Sequence, residues 1–230
     1  MPTSQIGIEW VNDYHSAFWP DLKNCQEEAE RFRSRLNGTP SFSWGNDMAW
    51  DQDFEEQGAS FWHPTGKDSK WADNVDIVFY SGHGESAGPR FGDTSHDQGQ
   101  IKHAELRLGN VDLEWAIFDC CFVLEDGGDY WKNSWDMFQG LHYMFGFHTK
   151  AGDDAARGEV FADYLNSGET MRHAWIKACQ DTESSSRQWG YLRASSSGTD
   201  TYNEKWFSAG TVSKDPDPNT QTIYYLRGAC

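Results

Sequence analysis

Hydrophobic residues occur along the chain in two patterns, short continuous runs and longer stretches with helical spacing. The runs at 75–80 (VDIVFY), 113–118 (LEWAIF) and 143–147 (YMFGF) are typical of strands that are buried on both faces. The run at 6–11 (IGIEWV) predicts an opening strand, and residues 222–226 (TIYYL) predict a closing one. Five strands are therefore expected from these runs.

Helical spacing follows the opening run at 6–11 and the run at 143–147. Pro20 and Asp21 open a stretch in which apolar residues recur at intervals of three and four, and Asn37-Gly38 ends it. These apolar residues share one helical face: Leu22, Cys25, Ala29, Phe32 and Leu36. Two further helices are predicted at 160–165 and 171–178, each with one apolar face.

Three segments have a weaker pattern. Residues 38–74 are rich in Gly, Asp, Ser and Trp, and we interpret them as loops with short elements. Residues 104–108 predict a short strand, and the serines and glycines of 184–198 predict an exposed loop. Since strands and helices alternate without a repeat or a linker, the chain predicts one α/β domain spanning residues 1–230, with a mainly parallel sheet flanked by helices.

Charge and cysteine content narrow the class of function. The formal net charge is −17, and without a basic stripe so acidic a surface disfavours nucleic acid and favours cationic peptides. Five cysteines without paired spacing indicate neither a disulfide framework nor a zinc site. No signal peptide or long apolar run is seen, so we expect no membrane association and a cytoplasmic protein, with secretion left open.

Candidate chemistry lies where two of the buried runs end. One run is followed by Ser81-Gly82-His83-Gly84, and the next ends at Cys121. If the two strands are adjacent and parallel, both side chains emerge at the same edge of the sheet. A cysteine nucleophile and an imidazole partner need this arrangement.

The chemistry follows from these residue types. A thiolate attacks a peptide carbonyl, and the imidazole gives a proton to the leaving amine. Gly82 and Gly84 allow substrate and backbone to approach the imidazole closely. The N–H groups of Gly84 and Cys121 are then candidates for holding the oxyanion.

Two short motifs resemble those of a known group of peptidases. The segment 79–84 (FYSGHG) resembles the strand and histidine of caspases, metacaspases and gingipains, and 118–121 (FDCC) resembles the Asp-x-Cys motif of metacaspases. Residues 146–148 and 161–178 are similar to the next strand and helices of gingipain-like members. The resemblance covers about 75–178 and implies a caspase-like three-layer sandwich with a His83–Cys121 dyad.

The resemblance also implies further roles. It selects Cys121 over Cys120 as the nucleophile, because the family cysteine stands two residues after the aspartate. In metacaspase-like members this aspartate, together with an acid after the first strand, lines the pocket for the residue before the cut. The corresponding residues here are Asp119 and Asp13, which together favour Arg or Lys. We therefore expect a peptide or protein substrate that is cut after a basic residue.

Departures from the family pattern leave other functions open. Metacaspases usually continue with His-Ser-Gly after the cysteine, whereas this chain has Phe122-Val123-Leu124. A peptide ligase or cyclase, a catalytically silent binding module and a natural-product enzyme on the same fold are the alternatives. Some metacaspases bind calcium, for which the acids at 125, 126 and 129 or at 153 and 154 are candidates, although they lack EF-hand spacing. We otherwise expect no cofactor and no metal ligand.

Overall fold

Seven strands pair into one central sheet in the computed structural model, which describes residues 4–16, 18–58, 65–96, 98–127 and 131–230. In chain order they are β1 (Gln5–Trp10), β2 (Thr39–Gly45), β3 (Ile77–Ser81), β6 (Trp115–Asp119), β7 (Tyr143–Phe147), β8 (Gln188–Ser195) and β9 (Thr222–Ala229). The short strands β4 (Gly84–Glu85) and β5 (Gly88–Pro89) form a separate hairpin. The order in the sheet is β2-β1-β3-β6-β7-β8-β9, and β8 runs antiparallel to both of its neighbours, β7 and β9. The prediction of a mainly parallel sheet is confirmed.

Three helices cover one face of this sheet: α1 (Cys25–Arg35), α2 (Arg157–Asn166) and α3 (Met171–Thr182). Phe32 of α1 stacks on Phe79 of β3, with ring centroids 4.7 Å apart. On the same face, Trp175 of α3 packs against Phe145 of β7. Such buried aromatic contacts fix the helices against the strands. No helix in the described part of the chain is both long and apolar enough to cross a membrane.

The opposite face of the sheet is covered differently. In the ranges that the structure describes, no α-helix lies there, and loops with short 3₁₀ turns form the layer. Phe54 from one of these loops packs against Tyr80 of β3 and Phe118 of β6. The sheet therefore lies between two layers, which confirms the predicted α/β sandwich and assigns its helices to one side.

The prediction of an exposed loop at 184–198 is wrong. Residues Gln188–Ser195 form β8, which is buried over most of its length between β7 and β9. The serines that suggested a loop lie at both ends of the strand, whereas Trp189, Tyr191 and Leu192 supply its buried side chains. Aromatic residues such as Trp189 and Tyr191 favour strands.

Smaller differences concern three other segments. Residues 38–74 contain the edge strand β2, which pairs in parallel with β1. The expected strand at 104–108 is a 3₁₀ turn at His103–Glu105. Helix α1 begins at Cys25 rather than near Pro20. The residues between Pro20 and Cys25 are consequently free to form part of the loop beside the strand ends.

Candidate active site

The two strands that carry the candidate residues are neighbours. β3 and β6 pair in parallel with Ser81 opposite Asp119, so both strands end at the same level. His83 and Cys121 follow these ends and line one cavity of about 220 Å³. The structure thus brings the predicted pair together at the carboxyl edge of the sheet. Their catalytic roles stay a prediction.

The His83 ring is held by the segment between β1 and α1. Its Nε2 lies 2.8 Å from the carbonyl oxygen of Pro20. Because a carbonyl oxygen only accepts, this contact assigns the proton of a neutral ring to Nε2 and leaves the lone pair on Nδ1. The rings of Tyr14 and Trp19 pack against the imidazole at centroid distances of 4.6 and 5.2 Å. The histidine is therefore fixed in orientation.

Glycines permit the close packing around this histidine. A Cβ at Gly82 would lie 2.6 Å from the Tyr14 hydroxyl, which itself accepts the His83 backbone N–H at 2.5 Å. A Cβ at Gly84 would lie 2.5 Å from Cys120 Sγ and 2.8 Å from the Cys121 carbonyl oxygen. A Cβ atom does not approach non-bonded atoms so closely. A side chain at either position would therefore force the backbone apart.

The Gly84 N–H faces away from its partner strand. Gly84 lies opposite Pro89 in the β4–β5 hairpin, and proline has no N–H to exchange. The flanking bond runs from the Arg90 N–H to the His83 carbonyl at 2.9 Å. Gly84 consequently occupies a non-hydrogen-bonded position of the ladder, where its own N–H points outward.

The two adjacent cysteines differ in environment. Cys120 is buried, whereas Cys121 is partly exposed to the cavity. Cys121 Sγ accepts the Ala151 N–H at 3.3 Å. Burial raises the pKa of the Cys121 thiol, while the Ala151 N–H acts in the opposite direction. The net effect favours the thiol form of Cys121, whereas the thiolate is the nucleophilic form of a cysteine.

Asp119 lies in the cavity wall, but it is not a free carboxylate. The guanidinium of Arg157, which is fully buried, donates from Nε to Asp119 Oδ2 at 2.7 Å. Arg157 also contacts Glu28 at 3.4 Å, pairs with Glu183 through Nη1, and donates from Nη2 to the Gly152 carbonyl at 2.7 Å. One buried cation thus joins the residue before the cysteines to α1, to the residue that follows α3 and to the loop at Gly152.

Glu28 is the second carboxyl group at the base of the cavity. Its Oε2 accepts the Ser81 hydroxyl at 2.6 Å. Burial, followed by the neighbouring charge of Asp119, raises the pKa of Glu28 well above its ordinary value. The neutral form of Glu28 is favoured as a result. Burial also raises the pKa of Asp119, although the positive charge of Arg157 opposes this effect.

Asp13 lies apart from this cavity. Its carboxylate faces the exposed ring of His15 at 3.2 Å, and Asp13 is not among the described residues that line the cavity. Asp153 lines the cavity instead, and its carboxylate accepts the backbone N–H groups of Lys23 and Asn24. The acids that accompany Asp119 are therefore Glu28 and Asp153, with Arg187 as the cation at the same wall.

Three contributors were missed by the sequence analysis. Pro20 contributes only its backbone carbonyl, and Glu28 is one of several polar residues in an amphipathic helix. Neither residue therefore has a distinctive sequence pattern. Arg157 does have a recognisable sequence signal. It is the first residue of α2, and a cation is unfavourable there because of the helix macrodipole. A basic residue at that position indicates nearby acids.

The candidate calcium patches have other partners. Asp126 pairs with Arg227 at 3.1 Å, and Asp153 binds backbone N–H groups. Asp129, the third acid of the first patch, lies outside the described residues. Within the described ranges, no group of three or more His, Cys, Asp or Glu side chains is placed to hold a metal ion.

Comparisons with known proteins give a family and one similar fold. The family model described as a domain of unknown function (DUF6345) matches residues 8–228. A secreted C11 cysteine protease from Bacteroides thetaiotaomicron, solved with an irreversible peptide inhibitor, is similar in structure with a TM-score of 0.46 and 11% identity. The match covers 83% of this chain and 66% of that one, so the chain spans slightly less than two thirds of the protease. No curated protein matches the sequence.

Proposed function

The chain belongs to the DUF6345 family, and we propose that this member is a cysteine peptidase with His83 and Cys121 as its catalytic pair. The observation that carries the proposal is the position of these residues. They follow two adjacent parallel strands that end at the same level, and they line one cavity. A nucleophile and a base on rigid neighbouring elements are what acyl transfer requires.

The mechanism begins with a proton transfer. Nδ1 of His83 takes the proton of the Cys121 thiol while Pro20 holds the Nε2–H. The thiolate then attacks the carbonyl carbon of the scissile peptide, and the imidazolium gives its proton to the departing amine. Water attacks the resulting thioester with His83 as the base, which releases the acid and restores the thiol.

Two backbone N–H groups are proposed to stabilise the oxyanion. The Gly84 N–H is supported by its non-hydrogen-bonded position in the hairpin and by the close packing of Gly84 against Cys121. The Cys121 N–H is the second donor. Donors fixed in this way stabilise the negative charge without reorganising during the reaction.

The substrate is proposed to carry Arg or Lys before the cut. Asp119 and Glu28 at the base of the cavity and Asp153 in its wall supply three carboxyl groups that can accept hydrogen bonds from a basic side chain. Glu28 favours its neutral form, and Arg157 and Arg187 offset the charges of the other two. The net charge of −17 also favours cationic peptides. A contribution from Asp13 stays a prediction that its exposed position does not support.

An activity-based probe tests the proposal. An acyloxymethyl ketone with Arg or Lys before the warhead is expected to label Cys121, as mapped by mass spectrometry, and to outcompete the same probe with Asp. Labelling should disappear in Cys121→Ala and His83→Ala. Cys25→Ala is the matched control, because this thiol lines the same cavity but has no catalytic role in the proposal. It should leave labelling intact.

Three results would contradict parts of the proposal. Labelling that persists in His83→Ala at the wild-type rate removes His83 as the base. Absence of labelling at Cys121 in the folded protein favours a silent binding module or a non-peptide enzyme. Equal labelling by the Arg and Asp probes removes the basic preference and leaves the dyad in place.

A further inference from the structure

The sulfur of Cys121 lies against the backbone of the loop that joins β7 to α2. The Ala151 N–H donates to Cys121 Sγ at 3.3 Å, and Sγ lies 3.7 Å from the Ala151 carbonyl oxygen. Ala151 belongs to neither β7 nor α2, which end and begin at Phe147 and Arg157. Its position beside the sulfur therefore depends on other contacts of the loop.

Two buried side chains hold the next residue of this loop. The Gly152 N–H donates to Glu183 Oε1 at 2.5 Å, and the Gly152 carbonyl accepts Arg157 Nη2 at 2.7 Å. Glu183 and Arg157 also pair with each other, and their side chains are only 3% and 0% exposed. One buried ion pair thus fixes both polar backbone groups of Gly152, which directly follows Ala151.

The charges of this ion pair oppose the usual preference of helix ends. Arg157 is the first residue of α2, and Glu183 is the residue that follows the end of α3. The helix macrodipole favours acids at the start of a helix and bases at its end, so both side chains stand at unfavourable ends. Such local rules are broken where a functional requirement outweighs them. The contact that both side chains share is Gly152.

We propose that Arg157 and Glu183 are positioning residues for the Cys121 nucleophile. Through Gly152 they keep the Ala151 N–H on the sulfur, where it stabilises the thiolate. This role rests on the proposed function, in which the thiolate attacks the peptide. A hydrogen bond to a charged acceptor is stronger than one to a neutral acceptor, so the N–H favours the thiolate over the thiol. In agreement, the Ala151 N–H opposes the rise in the pKa of Cys121 that burial causes.

Other ionisable groups near the sulfur make the sign of the effect informative. Asp119 disfavours the thiolate, whereas Arg187 and Lys150 favour it. Loss of the Glu183 carboxylate leaves the nearby cations with one counter-charge fewer, so charge alone would stabilise the thiolate. Loss of the hold on Ala151 would destabilise it. The other titratable groups around the sulfur are the neighbouring Cys120 and four that line the cavity: His83, Cys25, Glu28 and Asp153.

The experiment measures the rate constant for alkylation of Cys121 by iodoacetamide between about pH 6.5 and 8.5, which follows the thiolate fraction and needs no peptidase turnover. Fragmentation of the labelled peptide separates Cys121 from Cys120. In Glu183→Ala we expect the rate constant to fall about tenfold, the loss of one hydrogen bond to a charged group. Glu183→Gln keeps an oxygen that accepts the Gly152 N–H, so it should alkylate close to the wild-type rate.

A second variant disturbs the same contact while every charge is kept. A Cβ at Gly152 would lie 3.0 Å from Glu183 Oε1 and would also press on Arg187 Nη1. Both atoms are ends of flexible side chains that can move aside, so Gly152→Ala is expected to fold and to alkylate more slowly. Asp181→Ala is the matched control, because it removes an acid from the last turn of α3 that bonds the Tyr164 hydroxyl at 2.6 Å. It should alkylate at the wild-type rate.

Unchanged or faster alkylation in folded Glu183→Ala would overturn the proposal, because only the charge of the ion pair would then act on the sulfur. An equal loss in Glu183→Gln would overturn it as well, since the acceptor oxygen would have no role. If Glu183→Ala does not fold, an unchanged rate in Gly152→Ala decides against the proposal. Slower alkylation in a protein that the peptide probe does not label contradicts the dyad alone and leaves the hold on the sulfur in place.

Discussion

The carboxylate of Asp119 pairs with Arg157, and it also lines the cavity that is proposed to bind a basic side chain. Asp119→Asn removes one negative charge at the base of the cavity. We expect the preference for Arg over a neutral residue before the cut to fall by about tenfold, the loss of one charge-assisted hydrogen bond. The measurement is the ratio of kcat/KM for two matched peptides.

The ratio of the two kcat/KM values is measured because Asp119→Asn also lowers the stability of the folded protein. Removing one partner of a buried ion pair leaves the other charge exposed to an apolar environment. A smaller folded fraction lowers both rates equally and cancels in the ratio. Asp163→Asn is the matched control, because it breaks the exposed pair with Arg35 and should leave the ratio unchanged. An unchanged ratio in Asp119→Asn would exclude this residue from substrate selection.

Single residues were predictable from the sequence where they follow a buried strand. His83, Cys121 and Asp119 each stand at or just after a strand end, and the sequence therefore predicted their shared edge. Arg157 and Glu28 reach the same place from helices, and their positions depend on how α1 and α2 pack against the sheet. No local pattern encodes that packing, so the ion cluster that modifies Asp119 emerges only in the structure.

The β4–β5 hairpin is the element that places the proposed oxyanion donor. Gly84→Ala introduces a Cβ within 2.8 Å of the Cys121 carbonyl oxygen, which pushes the hairpin away from the cysteine turn. We expect kcat to fall on the order of 100-fold, because a displacement near 1 Å is enough for such a loss. Steady-state hydrolysis of a fluorogenic peptide measures it.

The same substitution at another glycine provides the control. A Cβ at Gly127 would meet no atom closer than 3.9 Å, so Gly127→Ala should retain wild-type kcat. If Gly84→Ala also retains wild-type kcat while remaining folded, the hairpin does not position the oxyanion. Circular dichroism on both variants shows whether the fold is kept.

Elements were predictable where their hydrophobic pattern was continuous. The strands β3, β6 and β7 are buried at every position and read as unbroken apolar runs. β2 is an edge strand whose exposed first residues include Pro40, so its composition resembles a loop. β8 was hidden by the serines around it, although its core residues are aromatic. Strand pairing overrides composition in both cases.

At the scale of the whole molecule, buried ionisable groups make stability depend on pH. Burial raises the pKa of Asp68 to about 8 and that of Glu114 to about 9. His142 is fully buried, and although burial alone disfavours its charge, the Asp215 carboxylate 3.4 Å from its Nε2 and the hydrogen-bonded carboxylate of Glu204 raise its pKa to about 9. A group whose pKa is raised on folding contributes stability at low pH, and this contribution is lost as the pH rises through the folded value.

His103 acts in the opposite direction. Burial lowers its pKa to about 4, so its contribution is full above about pH 6.5 and is lost as the pH falls toward 4. Between about pH 6.5 and 9.5 this residue is therefore silent. The loss of stability at alkaline pH is therefore due to the groups whose pKa values are raised. Each proton that they release also adds one negative charge to a chain whose formal net charge is already −17.

We therefore expect the protein to be less stable at about pH 9.5 than at about pH 6.5, with His142 alone accounting for about 3 kcal/mol. This corresponds to a fall in unfolding temperature of about 10 °C from that residue. Calorimetry at both values measures it, and His142→Gln should reduce the difference by about that amount, even if its absolute stability is lower, while Asp68 and Glu114 continue to contribute. His96→Gln, which removes a half-exposed histidine paired with Asp93, should keep the wild-type difference. Equal unfolding temperatures at the two pH values in the wild type would contradict a charged His142 in the folded state.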